Sequence, residues 1–170
     1  AVIPLPDNKG YTIKSLAAFI GGKVFFIAIR NDGGASVLCS VATATEDPKK
    51  LAAVKIDEGP GHWAMSPTPD VSGHIIVGKS IPEKLSYTVE ALDPKEGRPS
   101  VLFSTDMPKG ATRPWRHFIQ AEPDGTINLA HAGGINWDGR FKADGTRIGN
   151  ALPGQLFENY RYIFGYSGNI

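Results

Sequence analysis

The groups in this sequence with chemistry to offer are four histidines, one cysteine and a scatter of carboxylates. His62, His74, His117 and His131 never fall at a His-x-x-x-His spacing and are not bracketed by glutamates, the patterns that bring two imidazoles to one metal. Cys39 sits in an apolar run without a neighbouring base to hold it as a thiolate, and so reads as a small core residue. Asp57-Glu58 has the composition of an acid/base pair, yet adjacent carboxylates in a loop are far more often solvated than catalytic. A Gly-x-Ser-x-Gly elbow, a phosphate-binding Walker loop and a dinucleotide fingerprint are all missing from the sequence. The expectation is therefore a protein that is not an enzyme and that uses no metal and no cofactor.

Composition narrows the partners. Lys and Arg total 18 against 17 Asp and Glu, a net charge of +1, which steers the chain toward neither nucleic acid nor an anionic membrane. A single cysteine excludes an internal disulfide framework. The sequence has neither an Asn-x-Ser/Thr sequon nor an apolar run long enough to span a bilayer. A cytoplasmic setting is expected from these features, with secretion as the alternative.

The elements that would position any working group are short strands. Gly 20 and Pro 13 in 170 residues are spread along the whole chain, punctuating many strands instead of marking one linker. Two stretches repeat: 63–77 (WAMSPTPDVSGHIIV) and 115–129 (WRHFIQAEPDGTINL), each leading from a tryptophan to a glycine ten residues on and then into a β-branched run. A strand anchored by a buried Trp, a Pro/Asp/Gly turn and a second strand is the physical reading. A third aromatic lead, Tyr160-Arg161-Tyr162-Ile163-Phe164, comes near the end, and 13–22 (IKSLAAFIGG) echoes 127–134 (INLAHAGG). Self-similarity at about fifty residues implies units that bury a core only together. Strands are expected at 11–18, 24–30, 37–45, 51–56, 75–77, 85–92, 100–104, 115–119, 126–129, 136–142, 146–148 and 160–166. Loops are expected at 19–22, 57–61 and 78–84.

About twelve short strands in three pseudo-repeats, with almost no helical periodicity, predict an all-β chain of one domain, 1–170, with the β-trefoil as its architecture and a monomer as its state. A propeller is the rival, but its blades take ~40–50 residues each and this chain would hold too few to close a ring. An eight-stranded barrel ranks third, because its turns should be more evenly spaced. A trefoil without catalytic groups works through its loops. Ricin-type sugar binding needs a Gln-x-Trp that neither Gln120 nor Gln155 supplies. Another sugar site would place Trp137, beside Asp138-Gly139, against a pyranose ring. A storage or structural trefoil without active loops is a further possibility.

The order of elements resembles one family. Gly10-Tyr11-Thr12-Ile13 is followed by the Gly21-Gly22 pair and by a strand ending in Asp32-Gly33. The acidic stretch Asp57-Glu58-Gly59-Pro60-Gly61 precedes His62-Trp63, Trp115 precedes an Asp124-Gly125 turn, and the aromatic lead at 160–164 ends in Gly165-Tyr166. In this the chain resembles the mycocypins, fungal β-trefoil inhibitors of papain-like cysteine proteases, and the related mushroom serine protease inhibitors. The resemblance covers most of the chain in short pieces. It implies a papain-like protease as partner, plugged by two loops: Ile20, Gly21, Gly22 and Lys23, and Asp57, Glu58, Gly59, Pro60 and Gly61. Glycine suits that role, since it lets backbone approach a catalytic thiol closely. The chain departs from the family in having a short, apolar 16–21 segment and no asparagine in 78–84. Legumain inhibition is thus not implied, while Lys79 or Lys84 would be the residue for a trypsin-like pocket lined by a carboxylate.

Overall fold

A computed structural model describes residues 10–31, 35–43, 51–107, 116–132 and 137–151, with the side chains of 14–18, 82, 116–117, 131–132 and 137 left aside. Within them the chain is all-β. Twelve strands run in chain order: β1 Tyr11–Ile20, β2 Lys23–Arg30, β3 Ser36–Ala42, β4 Ala53–Gly59, β5 His62–Met65, β6 Ile75–Ile81, β7 Ser86–Leu92, β8 Pro99–Asp106, β9 Arg116–Ala121, β10 Ile127–Ala132, β11 Trp137–Phe141 and β12 Arg147–Gly149. The sole described helix is one 3-10 turn, Pro82–Lys84.

Pairing makes three four-stranded antiparallel sheets, each a meander of consecutive strands: β1-β2-β3-β4, β5-β6-β7-β8 and β9-β10-β11-β12. The repeat in the sequence is thus one sheet per unit. Among the described residues, ladder pairing stays inside each unit.

The sheets stack face to face. Between the first and second lie Phe25, Ile27 and Leu38 on one side and Trp63, Met65, Ile75, Val77 and Leu92 on the other. Between the second and third, Ile76, Tyr87, Val89, Ala91, Phe103 and Met107 meet Ile119, Ala121, Ile127, Leu129 and Phe141. The second sheet is therefore buried on both faces, which is why Ile75, Ile76 and Val77 are apolar without alternation. The far face of the first sheet carries Phe26, Ala28, Val37, Cys39 and Val41, so Cys39 is the core residue expected.

The fourth strand of every sheet has the same irregularity. Register slips by one residue at Ile56 in β4, at Leu102 in β8 and at Ile148 in β12. Each is a β-bulge on an outer edge, the position where an unbroken strand would offer its free amides and carbonyls to another chain.

Three connections differ from expectation. Strand β1 continues through Phe19 to Ile20, and only Gly21-Gly22 forms the turn. Asp57, Glu58 and Gly59 belong to β4, and the residues from Gly78 to Ile81 belong to β6. The sequence signals misled because these glycines serve packing. A Cβ on Gly78 would lie 2.1 Å from the Tyr87 hydroxyl, and one on Gly59 would lie 3.1 Å from the Trp63 ring. The aromatic strand expected near 160–166 and the Trp115 anchor lie outside the described residues.

Candidate functional site

Gly21 and Gly22 have φ of +58° and +74°, the two successive positive values of a type I′ hairpin turn, and Ile20 pairs with Lys23 across it. Non-glycine residues enter that region only at a cost, so the pair is dictated by the tightness of the turn. Among the described residues nothing lies within 4 Å of a Cβ built on either glycine; Gly21 is exposed and Gly22 half-buried. The base of the tip is tied down: Thr43 donates its amide (2.8 Å) and its hydroxyl (2.9 Å) to the Gly22 carbonyl. Lys23 Nζ reaches the Pro94 carbonyl at 3.5 Å. Phe19 beside the tip is 66% exposed, a large apolar ring in water. Exposed ring, narrow glycine turn and anchored base together define the β1–β2 hairpin tip.

The acidic stretch is built differently. Asp57 Oδ2 lies 2.5 Å from Lys79 Nζ, and the same ammonium lies 2.6 Å from Glu90 Oε2. It also sits 4.2 Å from the centroid of the Trp63 ring, a cation–π contact. Trp63 Nε1 in turn donates to the Pro60 carbonyl at 3.0 Å. Glu58 takes Lys55 Nζ at 2.8 Å and Arg30 Nη1 at 3.1 Å; these hydrogen bonds, Lys55 first, hold its carboxyl below the usual range. Gly61 closes the stretch with φ +85°, and a Cβ there would lie 2.1 Å from the Ser80 carbonyl oxygen. This is a strap locking the first sheet to the second.

The two expected protease-binding segments are not brought together. Lys23 pairs with Ala42 at one end of the first sheet, whereas Ile29, Ser36 and Gly59 line up at the other. Six residues of strand separate these ends along β2, about 20 Å at ~3.3 Å per residue. Of the two lysines, Lys79 is engaged by both carboxylates and its side chain is only 12% exposed. Lys84 is exposed at the end of the 3-10 turn. The Trp137 side chain, the sugar-stacking candidate, lies outside the described set.

Two features escaped sequence reasoning. Ser66 Oγ accepts the Ala121 amide at 2.9 Å and donates to the Thr68 carbonyl at 2.6 Å, while Thr68 Oγ1 donates to the Ala121 carbonyl at 2.8 Å. Two hydroxyls thereby satisfy both backbone groups on the edge of β9 and join the second sheet to the third. The only signal was Ser66-Pro67-Thr68 in the first copy of the repeat. The second feature is the pairing of His74 Nδ1 with Asp70 Oδ2 at 3.2 Å, inside a turn where Asp70 Oδ1 also accepts the amides of Ser72 and His74. That dyad organises the β5–β6 connection.

Among the described residues no three His, Cys, Asp or Glu side chains converge as metal ligands. No described helix is long and apolar enough to cross a membrane. No known family model and no curated protein sequence matches the chain.

Proposed function

We propose that the chain is a non-catalytic protein-binding module that inserts its β1–β2 tip into the cleft of a papain-like cysteine protease. The observation that carries this reading is the tip itself: an exposed Gly21 and a Gly22 with open space where a side chain would stand, and Phe19 two-thirds exposed next to them. A glycine pair without side chains lets the backbone sit close to a catalytic thiol while offering little for productive cleavage. A type I′ turn anchored by Thr43 is preorganised, so less ordering cost falls on binding. The protease class is suggested by the mycocypin resemblance. The geometry supports a one-tip version of it, with the 57–61 stretch as an internal strap and not a second plug.

For the finer architecture we infer an array of four-stranded, blade-like sheets in preference to the trefoil. A trefoil closes its barrel by pairing strands from different units, and the described ladders all lie within units. Packing of β9 on β5 and β6, and of β1 and β2 on β5, supports the same reading, since in a stacked array the first strand of each sheet lies on its neighbour.

Steady-state inhibition of papain and trypsin, measured side by side with the purified protein, tests the function. Inhibition of papain alone is the expected result. Inhibition of trypsin alone would move the site to Lys84, and inhibition of neither would remove the protease reading.

A further inference from the structure

The β1–β2 tip has a second turn beside it. In the first sheet the tip end is marked by the pairing of Lys23 with Ala42, and in the second sheet the corresponding end is marked by the aligned residues Ile75, Leu92 and Pro99. Two contacts bring these ends together. Ile20 packs on the apolar cluster that includes Ile75 and Leu92, and Lys23 Nζ lies 3.5 Å from the Pro94 carbonyl. The connection from β7 to β8, residues 93–98, therefore stands next to the tip, whereas Gly59 and Ile81 mark the opposite end of the two sheets.

This turn is braced from within. The Gly97 amide donates to the Asp93 carbonyl at 2.9 Å and the Lys95 amide to Asp93 Oδ1 at 2.8 Å, while Gly97 takes φ +66°, a value open to glycine at little cost. Lys95, Glu96 and Arg98 are exposed on it. Neither Lys95 nor Arg98 makes an ion pair with a described residue, whereas Arg30, Lys55, Lys79 and Arg140 are all paired. Across tip and turn, three cations, Lys23, Lys95 and Arg98, stand against two carboxylates, Asp93 and Glu96, and one oxygen of Asp93 is already taken by the Lys95 amide. The surface thus combines an exposed aromatic ring, Phe19, with unpaired positive charge on a rigid neighbouring turn.

We propose that the 93–98 turn is the second contact of the β1–β2 tip with its partner: as the glycine turn and Phe19 enter the cleft, Lys95 and Arg98 engage carboxylates on its rim. This deepens the protease-binding reading and rests on it. The companion loop is then 93–98 and not 57–61, whose carboxylates are held by Lys79, Lys55 and Arg30. The division of labour follows from the chemistry. Glycine backbone and an aromatic ring suit the desolvated centre of a contact, whereas exposed cations suit its rim, where they speed encounter and fix orientation. The planar guanidinium of Arg98 is further suited to taking a carboxylate through two hydrogen bonds.

The test follows association with papain by the onset of inhibition over a series of NaCl concentrations. Lys95→Gln combined with Arg98→Gln removes two positive charges from the turn; Lys142→Glu, at an exposed site on the β11–β12 turn, changes the net charge by the same amount. At low salt the double variant should associate about fivefold more slowly than the native protein, with the difference fading toward about 0.5 M NaCl, while Lys142→Glu stays within about twofold of native. Native-like rates and salt dependence in the double variant would overturn the proposal. So would an equal slowing by Lys142→Glu, because bulk charge and not the turn would then be responsible. Inhibition lost in Phe19→Ser but unaltered in the double variant would leave the tip reading standing and remove this inference alone. A native protein that does not inhibit papain would remove both.

Discussion

The two joints between sheets are made in different ways. Second and third are joined by apolar surface, with the Phe103 and Phe141 rings stacked 5.3 Å apart and the Ser66 and Thr68 hydroxyls closing the β9 edge. First and second share an apolar centre as well, but their rim is ionic: Asp57 of β4 and Glu90 of β7 divide one ammonium, that of Lys79, over the Trp63 ring. A dry joint depends little on salt or pH, whereas an ionic rim depends on both. The β1–β2 tip, the proposed probe, grows from the first sheet, the body on the ionic side. The contrast therefore predicts that conditions which leave the β5–β12 body intact loosen the sheet that carries the β1–β2 tip.

The largest expected effect breaks the dry joint. Phe103→Ala removes a buried ring and its stacking on Phe141, and should cost about 3–5 kcal/mol in urea unfolding. Next comes the ionic rim. Lys79→Met leaves Asp57 and Glu90 facing each other without their cation, and a loss of about 2 kcal/mol is expected, below the value for fully buried pairs because Asp57 is partly exposed. Adding Asp57→Asn and Glu90→Gln to that variant should recover part of the loss, and its melting temperature should respond less to salt than that of the native protein. Ser66→Ala strands the buried Ala121 amide and should cost about 1–2 kcal/mol, with no change in salt dependence.

Acid should sharpen the contrast further. Glu58 is held below its usual range by Lys55 and Arg30, Asp124 by Thr126 and Arg140, and Asp144 by Thr146. A depressed folded-state pKa stabilises above the unfolded value and is lost as pH falls through the folded one, so stability should decline below about pH 4. Pulsed hydrogen exchange should show β4 opening with Glu58. At the other extreme, burial pushes the Tyr87 phenol up, and that contribution should be lost only above about pH 10. The smallest effect concerns Leu85, a non-glycine residue at φ +49° between the 3-10 turn and β7. Leu85→Asn should be neutral or stabilising by up to about 1 kcal/mol, because asparagine tolerates that region better.

Sequence patterning reveals the strands of both joints but not the joints themselves. The continuous apolar runs of β2, β3 and β6 are visible because residues on both faces are buried, and the Pro123-Asp124-Gly125 and Ala143-Asp144-Gly145 turns announce themselves through glycines at φ +81° and +85°. Gly59, Gly61 and Gly78 carry the same letter for a different reason, close approach of Trp63, Ser80 and Tyr87, and composition cannot separate the two uses. At the candidate site, the Gly21-Gly22 turn was legible as local chemistry. The capture of Lys79 was not, because Glu90 reaches it through the pairing of β6 with β7 and Asp57 only through the stacking of two sheets. Nor was the separation of the 20–23 and 57–61 segments, which follows from antiparallel register in one sheet.

The most direct test of the proposed function compares papain inhibition by the native protein with inhibition by two tip variants, Phe19→Ser and the double substitution Gly21→Asn/Gly22→Lys, each checked for an unchanged β-sheet circular dichroism spectrum. Native inhibition, weakened at least tenfold by either variant, is the expected result. Folded variants that inhibit papain as well as the native protein, or a native protein that does not inhibit it at all, would contradict the assignment of the β1–β2 tip as the probe.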